Sequence, residues 1–335
     1  MVKLGILDYA QIDEGSNAQA ALQSTVILAQ LAESLGYERF WVAEHHNVPA
    51  FASTSPELII MRLADATKRI RIGSGGVMLP HYSPYKVAEN FRILEAFHPN
   101  RIDLGMGNTI GTALVNRTLN EKKKGKLNYE QSIIDLTKYL NDQVDESHRF
   151  HGITANPVIR TVPEMWVLST SVKSAKMAAN LGIGYTFGLF PNASMDKVNL
   201  GIQAAHTYRE EFKASVFMSK PKVSIAPFVV VADTNEQAEE YAKAADLWHL
   251  GNDNFSQFGA FPSVETARNY RCTEEEKTII RQNRTRMVVG DIDSVTAQLN
   301  ELIVQFGADE LMLIPLMPDQ EAREKALELL AEAFI

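Results

Sequence analysis

A single cysteine, Cys272, occurs in 335 residues. A lone thiol cannot close an intrachain disulfide, which excludes a disulfide scaffold and fits a reduced, cytoplasmic setting. No apolar run approaches the roughly 18 residues that a membrane span needs. The amino-terminal MVKLGILDYA is interrupted by Asp8 too early for the apolar core of a signal peptide. Positive charge is in deficit, with 33 Lys and Arg against 41 Asp and Glu and a net charge of −8. That balance argues against nucleic acid or an anionic membrane as a partner, while leaving room for a local basic pocket. Neither HExxH nor a cysteine pair is present, so no metal-ligand set can be read from spacing. A GxGxxG loop is missing as well. After the first strand candidate the chain reads DYAQIDEG, whereas a doubly wound dinucleotide sheet usually places its phosphate loop there.

What is present is a regular beat. Short β-rich runs at Leu4–Leu7, Phe40–Ala43, Ile70 through GSGGVML, Ile102–Met106, Met165–Leu168, Tyr185–Phe190, Val223–Ala232 and Leu311–Pro315 alternate with helical patterns. One such pattern is Leu22, Val26, Ala29, Ala32 and Leu35 at helical spacing, with Gly36 as the stop signal. Others cover Leu58–Ala66, Pro84–Phe97, Val172–Leu181, Ala193–Phe212 and Asn235–Leu250. Eight strand–helix units predict one (β/α)8 TIM barrel over residues 1–335, of mixed α/β class. Two stretches exceed what barrel loops require, 112–163 and 251–290, and form insertions after strand 4 and before strand 8. Loops of that length often act as lids or substrate walls. The basic run EKKKGK in the first reads as solvated surface.

Barrel active sites lie at the carboxyl ends of the strands. Strand 2 is followed by Glu44-His45-His46. Neighbours in extended chain point to opposite sides, so the two histidines should face different surroundings. One suits acid–base or hydrogen-bond work on a substrate; the other reading is a buried histidine bonded to a carbonyl or to Glu44. Strand 3 carries Gly75-Gly76, suited to a flat ring lying on main chain or to a simple bulge. Strand 4 ends in Gly105-Met106-Gly107-Asn108, with Asn108 as a neutral hydrogen-bonder. Strand 5 runs into Ser169-Thr170-Ser171, with Ser174 one turn further on. Hydroxyls there cap a helix, and the free N–H groups of a helix start also receive phosphate. A flat ring with a phosphate tail would use all four strand ends together, which describes a flavin.

AEHH, RIRIGSGGVMLP, HPNRIDLGMG, SAKMAANLG and MVVGDIDSVTAQLNELIVQFGADELML give the sequence a resemblance to the bacterial luciferase-like flavin-dependent monooxygenases, over about residues 3–334. The resemblance implies an enzyme on a (β/α)8 barrel that takes reduced FMN as co-substrate, delivered by a separate flavin reductase. In oxygen-using members the reduced flavin activates O2 toward a small organic substrate. Deazaflavin F420 with hydride transfer is the alternative cofactor, and flavin binding without turnover a further reading. A homodimer is implied too. Residue by residue, His45 matches the histidine beside the flavin and Glu44 the carboxylate before it. Gly75 and Gly76 match the pair joined by a cis peptide, and Thr170, Ser171 and Ser174 the phosphate turn. One departure is Gly107-Asn108-Thr109-Ile110-Gly111-Thr112-Ala113, where close relatives read Gly-Arg-Ala-Pro-Gly-Thr-Asp. Asn108 thus stands in place of a phosphate-binding arginine, and Lys173 or an arginine from 268–286 would have to supply the charge.

Overall fold

The computed structural model describes residues 2–121, 128–190 and 197–335. The run KKKGK within EKKKGK and the expected helix start at Ala193 lie outside them. Eight of the strands form one closed parallel barrel. In chain order they are β1 (Lys3–Asp8), β2 (Arg39–Val42), β3 (Arg71–Met78), β4 (Ile102–Gly107), β5 (Glu164–Ser169), β6 (Gly184–Gly188), β7 (Val223–Ala226) and, closing against β1, β10 (Glu310–Leu313). Each of the eight expected strands supplies one. The helices packed outside are α1 (Ala18–Leu35), α2 (Pro56–Ala66), α3 (Pro84–Phe97), α6 (Val172–Leu181), α7 (Lys197–Glu211), α8 (Asn235–Trp248), α11 (Ile292–Phe306) and α12 (Gln320–Phe334). The first insertion contributes α4 (Ala113–Leu119) and α5 (Tyr129–Leu140); the second contributes α9 (Val264–Asn269) and α10 (Glu274–Arg284). Among the described residues no helix is long and apolar enough to cross a membrane.

Local chemistry sets these boundaries. Asn17 caps α1 by accepting from the N–H of Ala20, and Gly36 ends it at φ 92°, a left-handed conformation that costs glycine little. α2 begins on Pro56, whose missing N–H would have had no helical partner. The barrel strands are buried on both faces, as a parallel sheet wrapped in helices requires.

The expected strand Val223–Ala232 is two strands. Pro227 has no N–H to give the ladder, so β7 stops at Ala226. The chain then leaves the barrel as β8 (Phe228–Ala232), which pairs in parallel with β9 (Met287–Asp291). The end of the stretch expected to be loop, 251–290, is therefore a strand that recruits the upper half of the split one.

Ions fill the amino-terminal end of the barrel. The Arg39 side chain is wholly buried and contacts Asp103 at 2.5 Å and Glu310 at 2.7 Å. Asp103 also accepts from Trp41 Nε1 at 2.8 Å and from Arg71. Coulombic attraction from Arg39 and Arg71 outweighs burial and holds the Asp103 carboxyl below its ordinary range. This floor leaves the opposite end of the barrel for chemistry.

Candidate active site

The end of β2 sends three successive side chains in different directions. Glu44 turns toward β3: its carboxylate accepts from the Met78 N–H at 2.8 Å, the Tyr82 hydroxyl at 2.6 Å and His46 Nε2 at 2.8 Å. The side chain is fully buried by these contacts. His45 turns the other way and packs its ring 4.7 Å from Tyr9 and 5.1 Å from Phe51. The two histidines thus part as strand alternation predicts. His46 is the one bonded to Glu44. Nδ1 of His45 is buried and has no hydrogen-bond partner among the described residues. Burial pushes the imidazole down to about 4, against a smaller opposing pull from Glu44, so the ring is neutral at physiological pH.

The Gly75–Gly76 peptide is cis, and the pairing of β3 with β4 shifts register between Ser74 and Val77. Both features expected of the glycine pair, the special peptide and the bulge, occur at one place. The need for glycine here comes from the protein's own packing. A Cβ on Gly76 would lie 2.8 Å from the backbone of Gly105, and one on Gly75 would lie 2.5 Å from the Leu7 side chain.

At the end of β5, Ser171 caps α6 by accepting from the Ser174 N–H at 3.2 Å, and its hydroxyl donates to Ser174 Oγ at 3.0 Å. Thr170 and Ser174 are half-buried, and the first turn of α6 carries no acidic side chain. Capping and an open helix start coexist. Asn108 projects into solvent just beyond β4, as does Lys173 on α6. The structure therefore gathers Glu44, His45, Gly75, Gly76, Thr170, Ser171 and Ser174 at the carboxyl ends of neighbouring strands and leaves Asn108 exposed at the rim. Among the described residues no group of three His, Cys, Asp or Glu side chains is placed to hold a metal ion.

A family model described as luciferase-like monooxygenase matches residues 2–310. The chain belongs to the luciferase-like monooxygenase family. As a member it is an oxidoreductase. It is 44% identical to the Bacillus subtilis protein YwcH, over 100% of this chain and 99% of that one. It is 32% identical to the N-acetyl-S-alkylcysteine monooxygenase of the same organism, over 100% and 99%. The crystal structure of apo-MsnO8 superposes with a TM-score of 0.87 at 33% identity, covering 100% of this chain and 98% of that one. Remoter structures share the fold. One is the oxygenating constituent of the Pseudomonas putida 3,6-diketocamphane monooxygenase in complex with FMN (TM-score 0.71, 18% identity, 99% and 97% covered). Another is the F420-dependent tetrahydromethanopterin reductase of Methanopyrus kandleri (TM-score 0.68, 18% identity, 99% and 98% covered).

Several residues of this luciferase-like site escape a strand-end reading. Tyr9, one residue past β1, obeys the strand-end rule yet reads as core. Phe51, from a loop, packs 5.1 Å from the His45 ring, and Trp248, at the end of α8, packs 5.2 Å from Phe51. Arg286, just before β9, donates to the Phe190 carbonyl at 3.2 Å at the end of β6. No local pattern marks these positions, because their meeting depends on barrel closure.

Proposed function

We propose that this chain is a monooxygenase that binds reduced FMN and directs O2 chemistry onto a small organic substrate, with the flavin reduced by a separate reductase. The observation that carries the reading is His45 Nδ1, a buried polar atom without a partner among the described residues, on the same barrel face as the hydroxyl-lined α6 start. A buried polar atom left unsatisfied is costly, and a ring heteroatom of a ligand would satisfy it. A helix start without acidic side chains suits a phosphate. The residues present therefore fit a flavin mononucleotide. The ring would rest on the Gly75–Gly76 main chain beside His45, and the phosphate would meet Thr170, Ser171 and Ser174. Reduced FMN, when bound, supplies the two electrons that activate O2.

The protein's own part follows from the geometry. Neutral His45 offers a hydrogen bond, or accepts a proton, beside the reacting ring. Tyr9 and Phe51 shield the His45 ring from water, with Trp248 packed behind Phe51. Glu44 ties the end of β2 to the end of β3 and so acts as a positioning residue. Three relatives of 32% identity that carry an activity in their names, the N-acetyl-S-alkylcysteine enzyme among them, are monooxygenases, which favours oxygen over hydride transfer. We also infer that residues 1–335 form one domain and that two copies pair through α2 and α3. These helices pack together, and Leu58 (72%) on α2 and Ile93 (39%) and Phe97 (68%) on α3 are exposed.

Anaerobic titration of the purified chain with FMN, reduced FMN and F420 tests the proposal. Reduced FMN should bind at least tenfold more tightly than oxidised FMN, and the bound form should be reoxidised by O2. Tighter binding of F420, or bound reduced FMN inert to O2, would overturn it.

A further inference from the structure

Four arginines of the described residues are almost completely buried: Arg39, Arg92, Arg286 and Arg323. Three have a carboxylate within reach. Arg39 pairs with Asp103 and Glu310, Arg92 with Asp142 at 2.8 Å, and Arg323 with Asp13 at 2.8 Å. Arg286, only 6% exposed, has none among the described residues. Among the described residues its one hydrogen bond is to the Phe190 carbonyl, and its Nε is buried without a partner. A second cation lies close by. Lys197, at the start of α7, is also 6% exposed and forms no ion pair among the described residues. Its Nζ sits 5.9 Å from the ring centroid of Phe187 on β6. Burial lowers the pKa of both groups, and the charge of Arg286 lowers that of Lys197 further.

Burying a charge without a counter-ion is unfavourable, and placing two like charges together compounds the cost. No anion of the described residues answers these two cations, and one carried by a bound molecule would offset the cost. The aromatic contacts point back to the candidate site. The Phe190 ring meets Phe228 at 6.0 Å, Phe228 meets Tyr9 at 6.3 Å, and Tyr9 meets His45 at 4.7 Å. An apolar row thus joins the histidine to the backbone carbonyl that Arg286 holds.

We infer that Arg286 and Lys197 form an oxyanion-binding centre at the β6 end of the catalytic face, distinct from the turn at α6. It receives a carboxylate, sulfonate or phosphate carried by a molecule whose apolar body lies along Phe190, Phe228 and Tyr9. Assigning this centre to a catalytic face rests on the function proposed above. Guanidinium and ammonium together suit a compact oxyanion, which the fork of the arginine can take with two parallel hydrogen bonds. The anion belongs to the substrate, which makes the substrate class an amphipathic acid, unless the single phosphate of the cofactor sits here in place of the α6 turn proposed above.

The test compares wild type with Arg286→Gln, Lys197→Gln and Arg286→Lys, using the full chain. The probes are octanoate, octanol, inorganic sulfate, FMN and riboflavin. Thermal unfolding without ligand is the first readout: neutralising either cation should leave Tm unchanged or raise it, because an uncompensated charge is removed. Lys197→Gln serves as the second variant if Arg286→Gln fails to fold. A substrate anion is indicated if octanoate binding weakens tenfold or more in the Gln variants while octanol and FMN change less than twofold. A cofactor phosphate is indicated if FMN binding weakens tenfold and riboflavin binding does not. In either case Arg286→Lys should restore part of the loss. The inference is overturned if sulfate, octanoate and FMN all bind the folded Gln variants within twofold of wild type. It is also overturned if both Gln variants lower Tm in the absence of ligand. The sulfate and octanoate measurements need no flavin, so failure of the flavin reading and failure of this centre are separable.

Discussion

Glu44 accepts three hydrogen bonds, and two of the donors belong to the segment that follows the glycine pair of β3. In Glu44→Gln one acceptor oxygen becomes an NH2 facing a donor. Leaving a buried donor unsatisfied costs about 1–3 kcal/mol. The expected outcome is a fall in Tm together with weaker binding of reduced FMN, read by calorimetry and by titration of the same sample; an unchanged pair of values would remove Glu44 from the positioning role. His45 should behave differently. His45→Ala removes a ring that packs beside the reacting centre while sparing the phosphate turn, so turnover should be abolished and flavin affinity should stay within a few fold. Because burial holds the imidazole near 4, its proton signals in the ligand-free protein should not titrate between pH 5 and 8. An NMR titration midpoint between 6 and 7 would contradict that.

Strands β3 and β4 approach so closely that a side chain cannot enter between them. A Cβ on Gly105 would lie 2.0 Å from the Ser74 carbonyl oxygen, a backbone atom that cannot step aside. Gly105→Ala should therefore destabilise the barrel by about 3 kcal/mol, the upper part of the usual overpacking range, measurable as a lowered urea midpoint. At the amino-terminal floor, Arg39→Met removes the cation shared by two buried carboxylates, leaving Asp103 to Arg71 and taking the buried arginine from Glu310. Losing one partner of such a pair costs about 3–5 kcal/mol. This loss should appear with little change in flavin affinity, since the floor lies at the opposite end of the barrel from the strand tips that carry His45. The elements themselves were readable at eight positions because each strand is short, apolar and followed by helical spacing. β8 and β9 were not, since Val223–Ala232 is apolar apart from Ser224 and only the proline within it hints at a break. Partners that lie far apart in the chain, such as β8 and β9, leave no local mark.

Over the whole molecule, two buried histidines make stability depend on pH. Burial lowers His45 to about 4 and His249 to about 3. Both folded values lie below the ordinary imidazole value of about 6.5, so the unfolded chain takes up protons first as pH falls. Their contribution is complete above pH 6.5 and declines as pH drops toward 4 and 3. Asp103, depressed by its arginines, adds a further loss through the carboxylate range. Asp8, raised by burial, acts in the opposite sense there. Chemical denaturation from pH 8 to 5 should show falling stability with a net uptake of protons on unfolding. A flat profile would mean that the two rings are charged in the fold. Pairing of two copies is checked by Leu58→Glu with Phe97→Glu: sedimentation should shift from dimer to monomer without loss of flavin binding.

Spacing along the chain was enough to specify the barrel, its two insertions and the strand tips where Glu44, His45, the glycine pair and the serine-threonine turn reside. Alternation of side chains and of strand with helix is a local property, and it survives any arrangement of the remainder. Closure of the barrel brought in the rest: the ring cluster of Tyr9, Phe51 and Trp248, the ionic floor around Arg39, and Arg286, unpaired among the described residues, beside Lys197. Each of these joins residues tens to hundreds of positions apart. Their burial, charge balance and hydrogen bonding exist only once the chain has folded back on itself and excluded water.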